Sequence, residues 1–262
     1  MQFKFAAKAA LAAISIAACV NSASAQSTYV AGGSATTEGV GSTSIPLGNG
    51  SATNVTSQFL FSTAQLGDLP IGSVITAIGF RINVNSLAPV SALNYSNYQI
   101  SLGGSTQAVG NLTTNFAANQ AAGTAVVRTG ALTIPVGSLV SQPFQASPTP
   151  TPNPFYTINF TTPFTYTGGN LLLTLSYVTS NTVTTTLDGT PYSAGGVDSA
   201  SNINPLGTYT QLYSVPVVQF TTQAATAGVP EPATWAMMML GFGGMGYAMR
   251  RRATVGARVR FA

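Results

Sequence analysis

Few side chains in this 262-residue chain could carry out acid–base or nucleophilic chemistry. The sequence has no histidine, its one cysteine is Cys19, and both of its lysines lie within the first eight residues. Ser-His-Asp and Cys-His catalysis, lysine Schiff bases and the common zinc sites therefore lack their residues between positions 26 and 228. A pair of carboxylates, as in glycoside hydrolysis, is the acid–base arrangement that remains. We predict that the protein is not an enzyme, and we keep a secreted polysaccharide-acting enzyme with paired carboxylates as the alternative.

Asp188 and Asp198 are the carboxylates that such an alternative would use. They lie ten residues apart in a glycine-rich stretch that also contains Asn202 and Asn204. Hard oxygen ligands on a loop of this kind could hold calcium, the one cofactor that we consider. The competing interpretation is structural, because Asp followed by Gly, as at Asp188, is a common turn pair. Asp68 follows a glycine and is interpreted as a turn residue for the same reason.

Arginine and tyrosine offer a second chemistry, the binding of sugars. Arg81 could pair with a carboxylate or present its guanidinium fork to a sugar, although the sequence favours a solvated position on a strand. Most aromatic residues fall on the apolar phase of predicted strands and are expected in the core. Tyr192, Tyr209 and Tyr213 lie in less regular sequence and are the candidates for a glycan-binding platform.

The basic composition of the chain comes from its two ends. Of nine lysines and arginines, only Arg81 and Arg128 lie between residues 26 and 228, where four carboxylates give a net charge of −2. Nucleic-acid binding requires a basic face on the folded domain, so we expect no nucleic-acid partner.

The central region alternates apolar and polar residues with a period of two, which predicts β-strands. The clearest alternations are Val74–Val84, Tyr98–Leu102, Tyr156–Phe160 and Leu171–Tyr177, and further strand candidates are Thr56–Ser62, Thr124–Leu132 and Leu212–Thr221. In the first of these, the even-numbered residues are expected to share the apolar face. Leu172 interrupts its alternation and predicts a strand that is buried on both faces. The pattern favours an all-β fold, an antiparallel β-sandwich, with a short helical turn near 115–122.

Four alternating prolines, between Pro148 and Pro154, predict an extended and semi-rigid segment. We interpret this segment as a long loop within one domain. A boundary between two domains is the alternative.

The N-terminus has the three parts of a secretory signal peptide. Lys4 and Lys8 precede an apolar stretch, Ala9–Val20, and Ala23 and Ala25 form a small-x-small cleavage site. Cleavage after Ala25 would remove Cys19 and leave a mature chain with no thiol. Cys19 also fits a loose lipobox, so lipidation at this residue is the alternative.

The C-terminus has three parts as well. Pro230, Glu231 and Pro232 form a rigid, non-helical start, because proline fixes φ and restricts the preceding residue. An apolar helix is predicted over 235–249, with Trp235 at the membrane interface. At about 1.5 Å per residue, its 15 residues span roughly 22 Å, which is short for a bilayer core of about 30 Å. Arg250, Arg251 and Arg252 follow and are expected to remain cytoplasmic. A buried globular helix is the competing interpretation of 235–249.

This order of residues resembles the PEP-CTERM sorting signal of Gram-negative bacteria, in the variant in which Trp235 follows the Pro-Glu-Pro core. The central region resembles the β-sandwich of many PEP-CTERM proteins at Val74–Arg81, Tyr98–Leu102, Leu112–Asn119, Pro163–Tyr166 and Gly169–Leu173, whereas residues 181–215 resemble nothing that we can align. The resemblance implies a jelly-roll-like sandwich with no assigned activity. It also implies cleavage near Pro230–Pro232 by an exosortase-type membrane protease, in a host that makes exopolysaccharide and biofilm.

Together these observations predict the following segments: a signal peptide (1–25), a β-sandwich domain (26–221), a linker (222–229), a PEP-CTERM sorting signal (230–252) with a transmembrane helix (235–249), and a basic cytoplasmic tail (253–262). The inner membrane would hold the C-terminal helix transiently, with the β-sandwich in the periplasm. Processing would then send the protein to the cell surface or the extracellular space. We expect a non-catalytic structural or glycan-binding role, with exopolysaccharide as a candidate partner.

Overall fold

The computed structural model describes residues 26–48, 54–142, 150–179, 184–191, 195–204, 207–210, 214–223 and 232–253. The described residues up to Gln223 belong to one compact unit, which we call the body. The C-terminal helix belongs to a second unit and is considered separately. The predicted signal peptide, with Cys19, Ala23 and Ala25, lies outside the described residues.

The described residues of the body form strands, one short α-helix and two 3-10 turns, Ile45–Leu47 and Thr63–Gln65. The strands are β1 (Gln26–Ala31), β2 (Gly41–Thr43), β3 (Asn54–Phe61), β4 (Val74–Phe80), β5 (Leu93–Gly103), β6 (Ala125–Arg128), β7 (Leu132–Ile134), β8 (Tyr156–Thr165), β9 (Leu171–Thr179), β10 (Leu187–Pro191), β11 (Val197–Asn204), β12 (Gly207–Thr210), β13 (Ser214–Pro216) and β14 (Val218–Gln223). The short helix, α1, spans Phe116–Asn119, and Asn115 caps it by accepting a hydrogen bond from the N–H of Ala118 at 3.3 Å. The predicted helical turn near 115–122 is therefore confirmed.

Among the described residues, all the strand pairs are antiparallel, and they form three sheets. One sheet has the order β1-β14-β4-β8, a second has β13-β10-β2, and the third has β12-β11-β3-β9-β5-β6, with β7 pairing β5. The main hydrophobic core contains apolar side chains from both of the larger sheets, such as Phe59 and Leu173 from one and Phe80 and Phe220 from the other. The predicted antiparallel β-sandwich is confirmed.

Strand pairing also bears on the proline-rich segment. β3 precedes this segment and β9 follows it, yet Asn54–Phe61 pairs with Leu171–Val178 over eight residue pairs. Residues 150–154 form no strand, and Asn153 is buried, with its side-chain amide donating to the carbonyl of Ile82 at 2.9 Å. Strands before and after the proline-rich segment therefore pair within one compact unit.

The period-two pattern predicts the core well except at β4. Tyr98, Ile100 and Leu102 are fully buried, as predicted from their alternation. In β4, however, the register with β8 shifts between Ile75 and Ala77, and Ile75 is buried while Val74 is only half-buried. A β-bulge adds a residue and reverses which side chains face the core. The prediction that Val74 shares the core face was wrong for this reason.

Leu172 is buried on the outer face of the largest sheet. It packs with Leu60, Leu112 and Ala200 in a second small cluster. The segment 104–122, which contains α1, covers this face, so both faces of β9 are buried. The prediction of a strand buried on both sides is confirmed.

The first and last strands of the body are neighbours. β14 lies between β1 and β4, and Gln26 pairs with Gln223 at the end of the β1–β14 ladder. β14 extends to Gln223, which is two residues beyond the predicted end of the domain at 221. Residues 224–229 lie outside the described residues.

Candidate functional site

Arg81 follows directly after β4 and is the most unusual side chain of the body. It is fully buried, and its Nη2 lies 2.6 Å from Oδ2 of Asp188, whose side chain is equally buried. Its Nε donates to the same oxygen at 2.7 Å. The guanidinium also stacks over the ring of Phe155, with Cζ 4.8 Å from the ring centroid. The expectation of a solvated Arg81 was wrong, because the sequence does not show which carboxylate meets it.

The loop 34–39 closes over this ion pair. Arg81 donates from Nη2 to the carbonyls of Ser34 (3.0 Å) and Thr37 (2.7 Å), and from Nη1 to the carbonyl of Ala35 (3.3 Å). The N–H of Gly39 donates to Oδ1 of Asp188 at 2.9 Å. A Cβ at Gly39 would collide with Asp188 Oδ1 and with the carbonyl of Gly189, so this close approach requires glycine.

Glu38 adds a second carboxylate to the same cluster. Its Oε1 accepts from the N–H of Val84 at 2.6 Å, whereas its Oε2 is buried with no hydrogen-bond partner. Burial raises the pKa of Glu38 and outweighs the opposing effect of the Val84 hydrogen bond, while nearby Asp188 raises the pKa further. Burial also raises the pKa of Asp188, and the charge of Arg81 opposes this rise. Of these two carboxylates, Asp188 forms the ion pair with Arg81, whereas Glu38 is bound by the backbone of Val84.

Asp198 has different partners and a different role. It lies on β11, where its Oδ2 accepts from the N–H groups of Gly110 (2.9 Å) and Leu112 (2.8 Å), and its Oδ1 accepts from Ser199 (2.7 Å). These bonds hold the segment that covers the outer face of the largest sheet. Beside them, Asn119 donates to Gln58 Oε1 at 2.7 Å, and Gln58 donates to Thr174 at 3.2 Å.

The two aspartates that the sequence suggested as a pair thus lie in different sheets. Asp188 belongs to β10 and Asp198 to β11, and each has its own partners. Within the described ranges, no three His, Cys, Asp or Glu side chains are grouped so that they could hold a metal ion. Asp68 has φ of 61°, as expected for a turn residue. Asn202 and Asn204 lie on β11, not on a loop.

Three tyrosines form a second buried cluster that the sequence did not reveal. Tyr98 and Tyr177 stack with their ring centroids 5.3 Å apart, and Tyr95 lies edge-on to both. Their hydroxyls donate to three consecutive carbonyls of one 3-10 turn: Tyr177 to Ile45, Tyr98 to Pro46 (2.5 Å) and Tyr95 to Leu47 (2.7 Å). Burial raises the pKa of Tyr98 and of Tyr177 well above the ordinary value.

Of the three candidate glycan-binding tyrosines, the structure describes Tyr209. It lies on β12, the edge strand of the largest sheet, and its side chain is 42% exposed. Tyr192 and Tyr213 lie outside the described residues.

The C-terminal helix, α2, spans Pro232–Ala253. Its 22 residues correspond to about 33 Å at 1.5 Å per residue. Pro232 is its first residue, which suits proline because the first N–H groups of a helix have no intrahelical partner. Pro230 and Glu231 lie outside the described residues, Trp235, Arg251 and Arg252 lie within the helix, and Arg250 is exposed.

The large apolar side chains of α2 are exposed. Eight of them are between 45% and 71% accessible: Met237, Met238, Met239, Leu240, Phe242, Met245, Tyr247 and Met249. A Cβ added to Gly241, Gly243, Gly244 or Gly246 would meet nothing within 4 Å.

In the part of the chain that the structure describes, no helix is long and apolar enough to cross a membrane. The predicted transmembrane helix at 235–249 is therefore not confirmed.

Comparison with known proteins agrees with the C-terminal pattern. The family model of the PEP-CTERM protein-sorting motif matches residues 228–252, which include the Pro-Glu-Pro core, the apolar helix and the three arginines. Neither a curated protein nor a solved structure matches the chain. Residues 228–252 are therefore a PEP-CTERM protein-sorting motif, which follows a body with an antiparallel β-sandwich fold.

Proposed function

We propose that this chain is a non-catalytic surface or matrix protein that acts in an exopolysaccharide or biofilm setting after its sorting signal is processed. The sorting motif itself implies export, membrane anchoring before processing, and processing by an exosortase-type membrane enzyme. The finer proposal is that the body serves as a structural or glycan-binding module. It acts at the cell surface or in the extracellular space.

The arrangement of the helix α2 is the observation that carries the sorting part of this proposal. Its apolar side chains are exposed, and its four glycines have no close neighbour that would exclude a larger residue. Exposed apolar surface of this extent marks a segment whose partner is another protein or a lipid environment. The triple arginine at its C-terminal end provides the charge that retains such a segment on the cytoplasmic side.

The use of the ionisable side chains supports a non-catalytic body. Asp188 is paired with Arg81, and Asp198 is occupied by backbone N–H groups. Glu38 binds the backbone of Val84. These three carboxylates have structural partners, whereas paired-carboxylate hydrolysis needs one carboxyl group on each side of a scissile bond.

Replacement of Pro230, Glu231 and Pro232 by alanine tests the sorting role. In a native host, we expect this variant to accumulate uncut in the inner membrane, while the wild-type protein is processed and released. The variant Thr226→Ala changes a residue just before the motif and should be processed normally. Normal release of the triple variant would overturn the sorting proposal.

A glycan array probed with residues 26–228 tests the role of the body. We expect binding to exopolysaccharide-type glycans, with the same result in calcium and in EDTA. Tyr209→Ala should weaken glycan binding several-fold if β12 contributes to the surface. Absence of binding to every glycan would leave the structural role and exclude the glycan-binding one, and hydrolysis of an arrayed glycan would favour the enzymatic alternative.

A further inference from the structure

The last strand of the body fills an interior position in its sheet. β14 lies between β1, the first strand, and β4. Val218 and Phe220 are fully buried in the main core, and Val215, just before β14, is buried as well. The final ten residues of the body, 214–223, thus complete both its core and its four-stranded sheet.

The first strand depends on the last. Among the described residues, β1 pairs with β14 and with no other strand, through six residue pairs from Gln26↔Gln223 to Ala31↔Val218. β14 has β1 on one edge and β4 on its other edge. Without β14, the backbone groups of β1 and of one edge of β4 would lose their partners, which is costly wherever they are buried.

We propose that residues 214–223 close the body during export, so that the β-sandwich is completed only when this last segment arrives. The inference rests on the proposed function, since it takes the body to be exported. A chain that crosses the membrane N-terminus first delivers residues 214–223 after every other residue of the body. Six residues, 224–229, separate β14 from Pro230, so the fold is completed as the sorting motif arrives.

Before closure, the edge of β4 that β14 occupies in the complete fold is an open acceptor edge, and β1 gains its partner strand only when β14 arrives. An antiparallel strand fits this acceptor edge if it is apolar at the positions of Val218 and Phe220, because both side chains enter the core. Addition of a strand to an open sheet edge gives affinity through main-chain hydrogen bonds and specificity through alternate side chains. Residues 214–223 are therefore the intended occupant, supplied by the same chain.

Two shortened chains test this inference against the full-length protein. Both begin at Gln26, one ending at Gln223 and the other at Tyr213, and their resistance to thermolysin is measured with and without a synthetic peptide of residues 214–223. We expect the chain ending at Gln223 to resist digestion as the full-length body does. The chain ending at Tyr213 should be cut at least tenfold faster, and saturating peptide should restore its resistance.

The control is the same peptide with Phe220→Asp, which places a charge in the core and should give no protection. Equal resistance of the two shortened chains would overturn the inference, because the body would then be complete without residues 214–223, which form β13 and β14. Protection by the control peptide as strong as that by the wild-type peptide would overturn it too. Neither shortened chain contains the sorting motif, so these outcomes are independent of whether Pro230–Pro232 direct processing.

Discussion

Nη2 of Arg81 lies 2.6 Å from Oδ2 of Asp188, and the body buries both side chains completely. A buried ion pair adds little net stability compared with apolar residues of the same size, but removal of one partner leaves an uncompensated charge. In this body the pair also orders the loop 34–39 through three of its carbonyls. Arg81 therefore joins β4, β10 and the chain that follows β1.

Loss of Arg81 alone should destabilise the body much more than loss of both Arg81 and Asp188. We expect Arg81→Met to lower the free energy of unfolding by about 3–5 kcal/mol, because Asp188 would remain buried without a cation. The double variant Arg81→Met with Asp188→Leu should recover part of that loss. Urea unfolding of the two variants measures the difference. Arg128→Met is the control, because it leaves no buried carboxylate without a cation, and it should lower the free energy of unfolding less. An equal loss of stability in Arg128→Met would contradict the special role of Arg81.

Glu38 should make the body more stable in mild acid. Its pKa is raised in the folded protein, mainly by burial, so just above the ordinary value of 4.5 the folded state keeps a proton that the unfolded chain has released. The contribution of Glu38 to stability is therefore greatest below that pH, falls as pH rises through the window up to the raised pKa, and is constant above it. Asp188 contributes with the same sign because its pKa is raised as well.

Glu38→Gln isolates this effect, since the amide oxygen can still accept from the N–H of Val84. The free energy of unfolding, measured in urea from pH 4 to pH 8, should fall less steeply with pH in the variant than in the wild-type protein. Parallel curves for wild type and Glu38→Gln would show that Glu38 does not titrate in this window.

The tyrosine cluster should be sensitive to the loss of one oxygen atom. Tyr98→Phe keeps the ring and its stacking on Tyr177 but leaves the carbonyl of Pro46 without its buried donor. We expect a loss of about 1–3 kcal/mol in the free energy of unfolding, the cost of an unsatisfied buried polar group. Tyr29→Phe, at a half-buried position on β1, should change it by less than about 0.5 kcal/mol. Equal effects of the two substitutions would argue that the 3-10 turn does not depend on the tyrosine hydroxyls.

Asp198 should affect the local stability of the segment 104–122, which packs on the largest sheet, more than the global stability of the sandwich. Asp198→Ala removes the oxygen that accepts from the N–H groups of Gly110 and Leu112. We expect amide hydrogen exchange to accelerate at least tenfold in residues 104–122, with little change in β4. Asp68→Ala is the control for the loss of a carboxylate. Uniform acceleration across the body would instead mean that Asp198 supports the global fold.

The features that the sequence predicted correctly depend on local patterns. Alternation placed Tyr98, Ile100 and Leu102 in the core, and Asn115 marked the start of a helical turn, because these signals involve neighbours along the chain. The Pro-Glu-Pro core and the three arginines are likewise contiguous, and the family match covers them.

The features that were missed depend on contacts distant in sequence. Arg81 meets Asp188 across 107 positions, and Tyr177 reaches the 3-10 turn across 132, which no local period can reveal. The bulge in β4 reversed the phase of Val74 and Ile75, because a single extra residue shifts an alternation by one. The small number of charged residues was one available signal. The body uses only two arginines and four carboxylates, so a specific structural partner for Arg81 could have been suspected.

The pairing of Gln26 with Gln223 sets how the body responds to mechanical load. Tension applied between these two residues would separate the β1–β14 ladder one rung at a time, starting at that pair, which is the weak direction of a sheet. A pull on Gln223 that the rest of the body resists would instead act along β14. The ladders of β14 to β1 and to β4 would then bear the load together. A body freed at its N-terminal end and held at its C-terminal end would therefore withstand shear better than one that is held at both.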